Sequence, residues 1–141
     1  MRFYGSSEDE EEQVPVTRRL IGIIALVFVA AAFLYSAVSG DVYEITSPVS
    51  FPFHTLLHKF YSVVAFAVIG YLTARLTNGR PRRYVFWIAV LAGANFSAVI
   101  EIVQGFISSE SLSWHLIDVG CGALGGAFGG ALAAARWVQR R

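Results

Sequence analysis

Long apolar runs separated by short polar connections set the pattern of this chain. Leu20 to Ser39 holds no charged residue. At 1.5 Å per residue, twenty helical residues span about 30 Å, the thickness of the hydrocarbon core of a bilayer. A second uncharged run extends from Phe60 to Ala74 and ends at Arg75. It becomes long enough to cross if Leu56, His58 and Lys59 belong to it, with Lys59 snorkelling to the surface. Tyr84 to Ile107 forms a third run, broken in polarity only by Asn95, Ser97, Glu101 and Gln104. Leu116 to Val138 forms the fourth, bracketed by Trp114 and Trp137. In a helix those tryptophans stand about 35 Å apart, the spacing of two interfacial belts. The pattern therefore predicts an all-α polytopic membrane protein with four transmembrane helices, over about 20–39, 56–75, 84–107 and 116–138.

A secretory signal is the rival reading of the first run. Thr17-Arg18-Arg19 resembles a twin-arginine start, and Ala37-Val38-Ser39 offers small residues for cleavage. Signal h-regions are only about 7–15 residues long, however, so the first run reads as an anchor. Residues 1–17 carry the acidic run Glu8-Asp9-Glu10-Glu11-Glu12 and then Pro15. Self-repelling, core-free sequence of this kind predicts a disordered, solvated tail ahead of a helical domain over 18–141. In the 40–57 connection, Pro48 and Pro52 oppose a regular helix, and Tyr43, Phe51 and Phe53 suit an interfacial loop. Asn78-Gly79-Arg80-Pro81-Arg82-Arg83 is a turn loaded with positive charge, and Ser108-Ser109-Glu110-Ser111 a tight loop.

With four spans, the tail, the 75–83 connection and the C-terminus share one side. That side collects Arg2, Arg18, Arg19, Arg75, Arg80, Arg82, Arg83, Arg136, Arg140 and Arg141, leaving only Lys59 of the 11 basic residues on the other. The positive-inside rule makes the arginine side cytoplasmic, with both termini there.

Composition adds little. Hydrophobic residues make up 55% and charged residues 15%, against about 25% charged in a soluble domain. A net charge of +1 gives no support to nucleic-acid binding. Cys121 is the only cysteine and suits a small packing residue in a helix.

The four-span topology brings the polar residues of three runs to one end. His54, His58 and Lys59 begin the second helix, Glu101 and Gln104 close the third, and His115 and Asp118 open the fourth. The spacings of three and four put His54 with His58, Glu101 with Gln104, and His115 with Asp118 on shared helix faces. A carboxylate within such a segment costs about 2.5–3.5 kcal/mol on insertion scales, so Glu101 and Asp118 call for a reason. Three readings stand. The cluster is interhelical glue, at about 0.6 kcal/mol per hydrogen bond. It is a headgroup or small-ligand site, with Lys59 and the histidines taking phosphate and the carboxylates a sugar or amine. Or it is catalytic or metal-binding through Glu101, Asp118, His58 and His115, although no H-E-x-x-H spacing favours a metal. No cofactor is implied.

The fourth run also carries Gly122, Gly126 and Gly130, with Gly125 and Gly129 repeating the four-residue spacing. Such glycines let another helix approach closely, within the bundle or in a homodimer through this face.

In these residues the chain resembles the VanZ-like family of small membrane proteins. Leu56-Leu57-His58, Glu101-Ile102-Val103-Gln104-Gly105-Phe106, and Asp118 with Gly125 and Gly129 carry the likeness, over about residues 54–130. Where the family has an acidic–lysine pair before the histidine, this chain has His54-Thr55; where it has Asn four after the aspartate, this chain has Gly122. An arginine often found in the short loop is also missing from 108–113. The family takes its name from a protein associated with low-level resistance to the glycopeptide teicoplanin, and related domains occur in bacteria and archaea that lack that target. The resemblance thus implies a general role in the cell envelope. Together these points lead to the expectation of an outward-facing pocket, lined by His58, Lys59, Glu101, Gln104, His115 and Asp118, that binds a lipid or glycan headgroup without enzymatic activity. The alternative is a membrane enzyme that acts on a lipid-linked substrate by carboxylate–histidine acid–base chemistry. A transporter has less support, because no pair of broken helices interrupts the runs.

Overall fold

The structure, a computed structural model, describes residues 8–39, 42, 45, 52–77, 80–106 and 112–138, with side chains except over 8–15, 112–115 and 137–138. Four helices result: α1 Glu8–Val38, α2 His54–Leu76, α3 Arg82–Gly105 and α4 Leu112–Val138. No strand occurs among the described residues. Each helix holds a stretch long and apolar enough to cross a membrane, namely Val16–Val38, His54–Leu76, Arg82–Gly105 and Leu116–Arg136. The loop at 108–111, the Asn78-Gly79 turn, most of the 40–57 connection, the tail over 1–7, and Arg140 and Arg141 lie outside the described residues.

The boundaries shift from those expected. α1 begins at Glu8, so the stretch over 8–17 expected to be disordered is helical. Glutamate is a good helix former, and negative charge is favourable at the positive N-terminal end of a helix. α4 begins at Leu112 and takes Trp114 and His115 into its first turn. Between α2 and α3 the chain reverses tightly. Thr77 caps α2 by donating its hydroxyl to the Ala74 carbonyl at 3.0 Å, and the Arg80 N–H donates to the Thr77 carbonyl at 3.3 Å. Pro81 then precedes α3 and accepts the first helical bond, from the Val85 N–H at 3.1 Å. Its fixed φ and missing N–H suit a helix entry.

α4 lies between α2 and α3, and its glycines explain why. In lipid there is no hydrophobic drive between helices, so close packing must supply the attraction. The five glycines form two rows rather than one face. Gly122, Gly126 and Gly130 meet Ser97, Gly93, Ala89 and Phe86 of α3, whereas Gly125 and Gly129 meet Val63, Phe66, Ala67 and Tyr71 of α2. Gly70 of α2 also abuts Gly126, where an added Cβ would fall 2.8 Å from the Gly126 Cα. Backbones this close exclude any side chain between them and gain weak Cα–H···O contacts. All five glycines are therefore occupied by the chain's own α2 and α3, the arrangement within the bundle. A second copy at this face would have to displace one of them.

The contacts also fix direction. From Val63–Gly125 to Ala67–Gly129, α2 and α4 run parallel, while Gly93–Gly122 and Ala89–Gly130 set α3 antiparallel to α4. Phe66 and Phe96 cross edge to face between α2 and α3, with ring centroids 6.2 Å apart. α1 rests on the outside, against α2 and α3, with none of its described side chains buried. Leu76 packs over Gly22 near the middle of α1, and Gln104 reaches Ala37 at its C-terminal end.

Replacing Gly126 with Leu should prevent the helices from assembling, because the added side chain meets the backbone of α3 at Ala89 and Val90. Gly120→Leu should be tolerated, since nothing lies within 4 Å of a Cβ there. Overpacking typically costs about 1–3 kcal/mol, and more where backbone cannot move. Size-exclusion profiles in detergent check this: a monodisperse Gly126→Leu variant would contradict the packing.

Candidate functional site

At one end of the bundle, α1 and α3 finish while α2 and α4 begin. Lys59 stands in the second turn of α2 and Asp118 in the second turn of α4. Because α2 and α4 run parallel and are held close by Gly125 and Gly129, the two side chains meet. The Lys59 ammonium donates to Asp118 Oδ1 in a salt bridge. Their side chains are 22% and 19% exposed, so most of each is covered while an edge stays open. Lys59 is thus a structural partner of Asp118 as well as a charge near the surface. The pairing offsets part of the cost of placing either ion in an apolar segment.

α3 adds a third element. Ser97, 1% exposed, donates its hydroxyl to the Asp118 backbone carbonyl at 2.8 Å. It can do so only because Gly122 admits α3 so close: a Cβ on Gly122 would collide with the Ser97 Cβ and the Gly93 carbonyl. Asp118 is consequently held twice, by Lys59 from α2 through its side chain and by Ser97 from α3 through its backbone. The sequence treats Ser97 only as a break in polarity. Its four-residue offsets from Gly93 and Glu101, on the face toward α4, are the signal that identifies it.

The remaining expected residues separate. Gln104 does not turn to the ion pair with its Nε2 but donates it to the Ala37 carbonyl of α1 at 2.8 Å. That carbonyl is among the last four of α1, which lack intrahelical donors, so Gln104 caps α1 and fastens it to α3. Glu101 is half-buried one turn beyond Ser97, and His58 is half-buried beside Lys59 in sequence. The Ser62 hydroxyl donates to the His58 carbonyl at 3.0 Å. His54 Nε2 lies 3.3 Å from the Thr55 hydroxyl at the start of α2. His115 is in the first turn of α4, and its side chain lies outside the described residues, as do those of Trp114 and Trp137. Cys121, a free thiol of intermediate exposure, follows Asp118 by three residues on α4. No group of three or more His, Cys, Asp or Glu that could hold a metal ion occurs among the described residues.

Chemically, the described centre is an acceptor carboxylate and a donor ammonium held side by side at the lip of a helix bundle. That arrangement suits polar groups that both donate and accept, such as sugar or glycerol hydroxyls and zwitterionic headgroups. Comparisons of the chain with family models, curated proteins and solved structures find no match.

Removing one member of the pair should destabilise the bundle more than removing both. With an exposed edge, each of Lys59→Met and Asp118→Asn is expected to cost about 1–3 kcal/mol, below the range for fully buried pairs. Lys59→Met/Asp118→Asn should recover at least half of the summed loss. Thermal unfolding midpoints of the four proteins in one detergent provide the double-mutant cycle. Strictly additive losses would show that the two residues do not act together.

Proposed function

We propose that this chain is a VanZ-like multi-pass protein of the cell membrane, with both termini cytoplasmic, that binds an envelope lipid or glycan headgroup at the Lys59–Asp118 end. The observation that carries the reading is the ion pair itself. A salt bridge serving only to join α2 and α4 could lie anywhere along their contact. This one sits in the second turn of both helices, with an edge of each side chain exposed. The charge asymmetry supports the orientation. Among the described side chains, Arg18, Arg19, Arg75, Arg80, Arg82, Arg83 and Arg136 belong to the opposite end, and Lys59 to the end with Glu101 and Asp118. Read by the positive-inside rule, the arginine end is cytoplasmic and the ion pair faces outward at headgroup depth. His58, Glu101 and His115 flank the pair in sequence on α2, α3 and α4, and complete the pocket under this reading. Gln104 contributes by holding α1 in place. The VanZ-like residues Leu56-Leu57-His58, Glu101 to Gln104 and Asp118 coincide with this end, which supports an envelope role over a cytoplasmic one.

The test is a mass-spectrometric profile of envelope lipids and glycans from a deletion strain. The strain is complemented with wild type, Glu101→Gln or Asp118→Asn, after each variant has been shown to reach wild-type levels in the membrane. The expected result is at least one headgroup species whose amount changes severalfold in the deletion and returns with wild type but with neither variant. Full restoration by both variants would reduce the cluster to helix-joining and end the headgroup reading.

A further inference from the structure

The other end of the bundle carries an arrangement that the headgroup reading does not use. Ala74 of α2, Val85 and Ala89 of α3, and Ala133 of α4 form a buried cluster against which Tyr71 packs. That cluster gathers the end of α2, the start of α3 and the end of α4. The arginines follow directly: Arg75 succeeds Ala74, Arg82 precedes Val85 by three residues, and Arg136 follows Ala133 by three. Arg80 and Arg83 adjoin them in the intervening turn and first turn of α3.

Two of these side chains are braced by aromatic rings. Arg136 donates to the Tyr71 hydroxyl at 3.2 Å and its guanidinium carbon lies 5.7 Å from the centre of the Tyr71 ring. Tyr71 precedes Arg75 by one helical turn, so the contact draws Arg136 across the α2–α4 seam toward the face that bears Arg75. Arg80 lies over Tyr84 at 5.9 Å. Among the described side chains the carboxylates are those of Glu101 and Asp118 at the far end, where the Lys59–Asp118 salt bridge also lies. Among the described side chains, the five guanidinium groups thus have no acidic partner. Cations clustered at a membrane surface attract anionic lipid. Guanidinium groups stay charged and match phosphate oxygens bidentately, and restraint on a tyrosine lowers the entropy lost when they bind.

We infer that this end is a binding site for the phosphate of an anionic membrane phospholipid, centred on Arg75, Arg82 and Arg136, with Tyr71 positioning Arg136. The apolar flanks of the three helices place the acyl chains alongside, which a free phosphate does not exploit. The site is independent of the Lys59–Asp118 end, and either can fail without the other.

The experiment is native mass spectrometry of the full chain, released from detergent, with phosphatidylglycerol and phosphatidylcholine of identical acyl chains as probes. Wild type is expected to retain phosphatidylglycerol in preference. Each of Arg75→Gln and Arg136→Gln should lower that preference about fivefold, the worth of one arginine near an anionic surface. Tyr71→Phe keeps the ring and removes the hydroxyl, and should lower it by a smaller factor. A parallel titration of wild type needs no variant to fold: the preference should collapse between 0.1 and about 1 M salt, where screening shortens to about 3 Å. Equal retention of the two lipids, a preference indifferent to both arginines, or one that survives high salt would overturn the site. Displacement of the lipid by inorganic phosphate at millimolar concentration would overturn it in favour of a free anion.

Discussion

The close approach of α4 to α2 and α3 is the constraint on which the remaining features depend. Gly122, Gly126 and Gly130 set the depth of α3, and Gly125 and Gly129 set that of α2. These five glycines, with Gly120 a sixth in the same helix, would be a liability in water, at about 1 kcal/mol each relative to alanine. In a bilayer the backbone has no water to turn to, so helix formation is enforced and the glycines are freed to serve packing. Their consequence at the polar end is direct. Ser97 reaches the Asp118 carbonyl, and Lys59 reaches the Asp118 carboxylate, because no side chain of α4 holds α2 or α3 away.

The same packing separates two electrostatic regimes along a single bundle. At one end a cation is matched to an anion, and the pair is mostly covered. At the other, several cations stand without an acidic partner among the described side chains, around a buried cluster of alanine and valine. Matched charges in a low-dielectric setting fix geometry, because breaking the pair leaves an ion uncompensated. Unmatched cations at a membrane surface act on the surroundings and attract what is anionic there. A chain with a net charge of only +1 can therefore be strongly polar along its axis.

The four helices were legible in the sequence because each apolar run is as long as a bilayer is thick, and a span of that length admits few other conformations. The meeting of α2, α3 and α4 at one polar end was legible too, since four spans dictate which helix ends are neighbours. Individual partners were less so. Lys59 read as a snorkelling residue because its place near the helix start suits one, and only the parallel alignment of α2 with α4 brings it to Asp118. Gln104 read as a companion of Glu101 because three residues separate them, yet position 104 lies at the very end of α3, where a long side chain can reach a different neighbour. The glycines read as one smooth face, although rows beginning at 122 and 125 point about 60° apart on a helix, enough to address two partners. The start of α1 at Glu8 departs from the composition argument because glutamates in sequence favour a helix locally, whatever their charge.

Asp118 is where structural and functional demands converge, and its two attachments differ in kind. Ser97 holds the backbone, which would serve equally well if residue 118 were alanine. Lys59 holds the side chain, and for that the chain accepts an ion pair in a segment otherwise built of small and apolar residues. If joining α2 to α4 were the whole requirement, the glycine contacts at Gly125 and Gly129 already meet it, and continuing that row through position 118 with small apolar residues would add stability without desolvating two charges. Under the proposed headgroup reading, a charge pair retained just where the bundle opens, one-fifth exposed on each side, is accounted for by what it presents at the lip of the bundle as well as by what it fastens within.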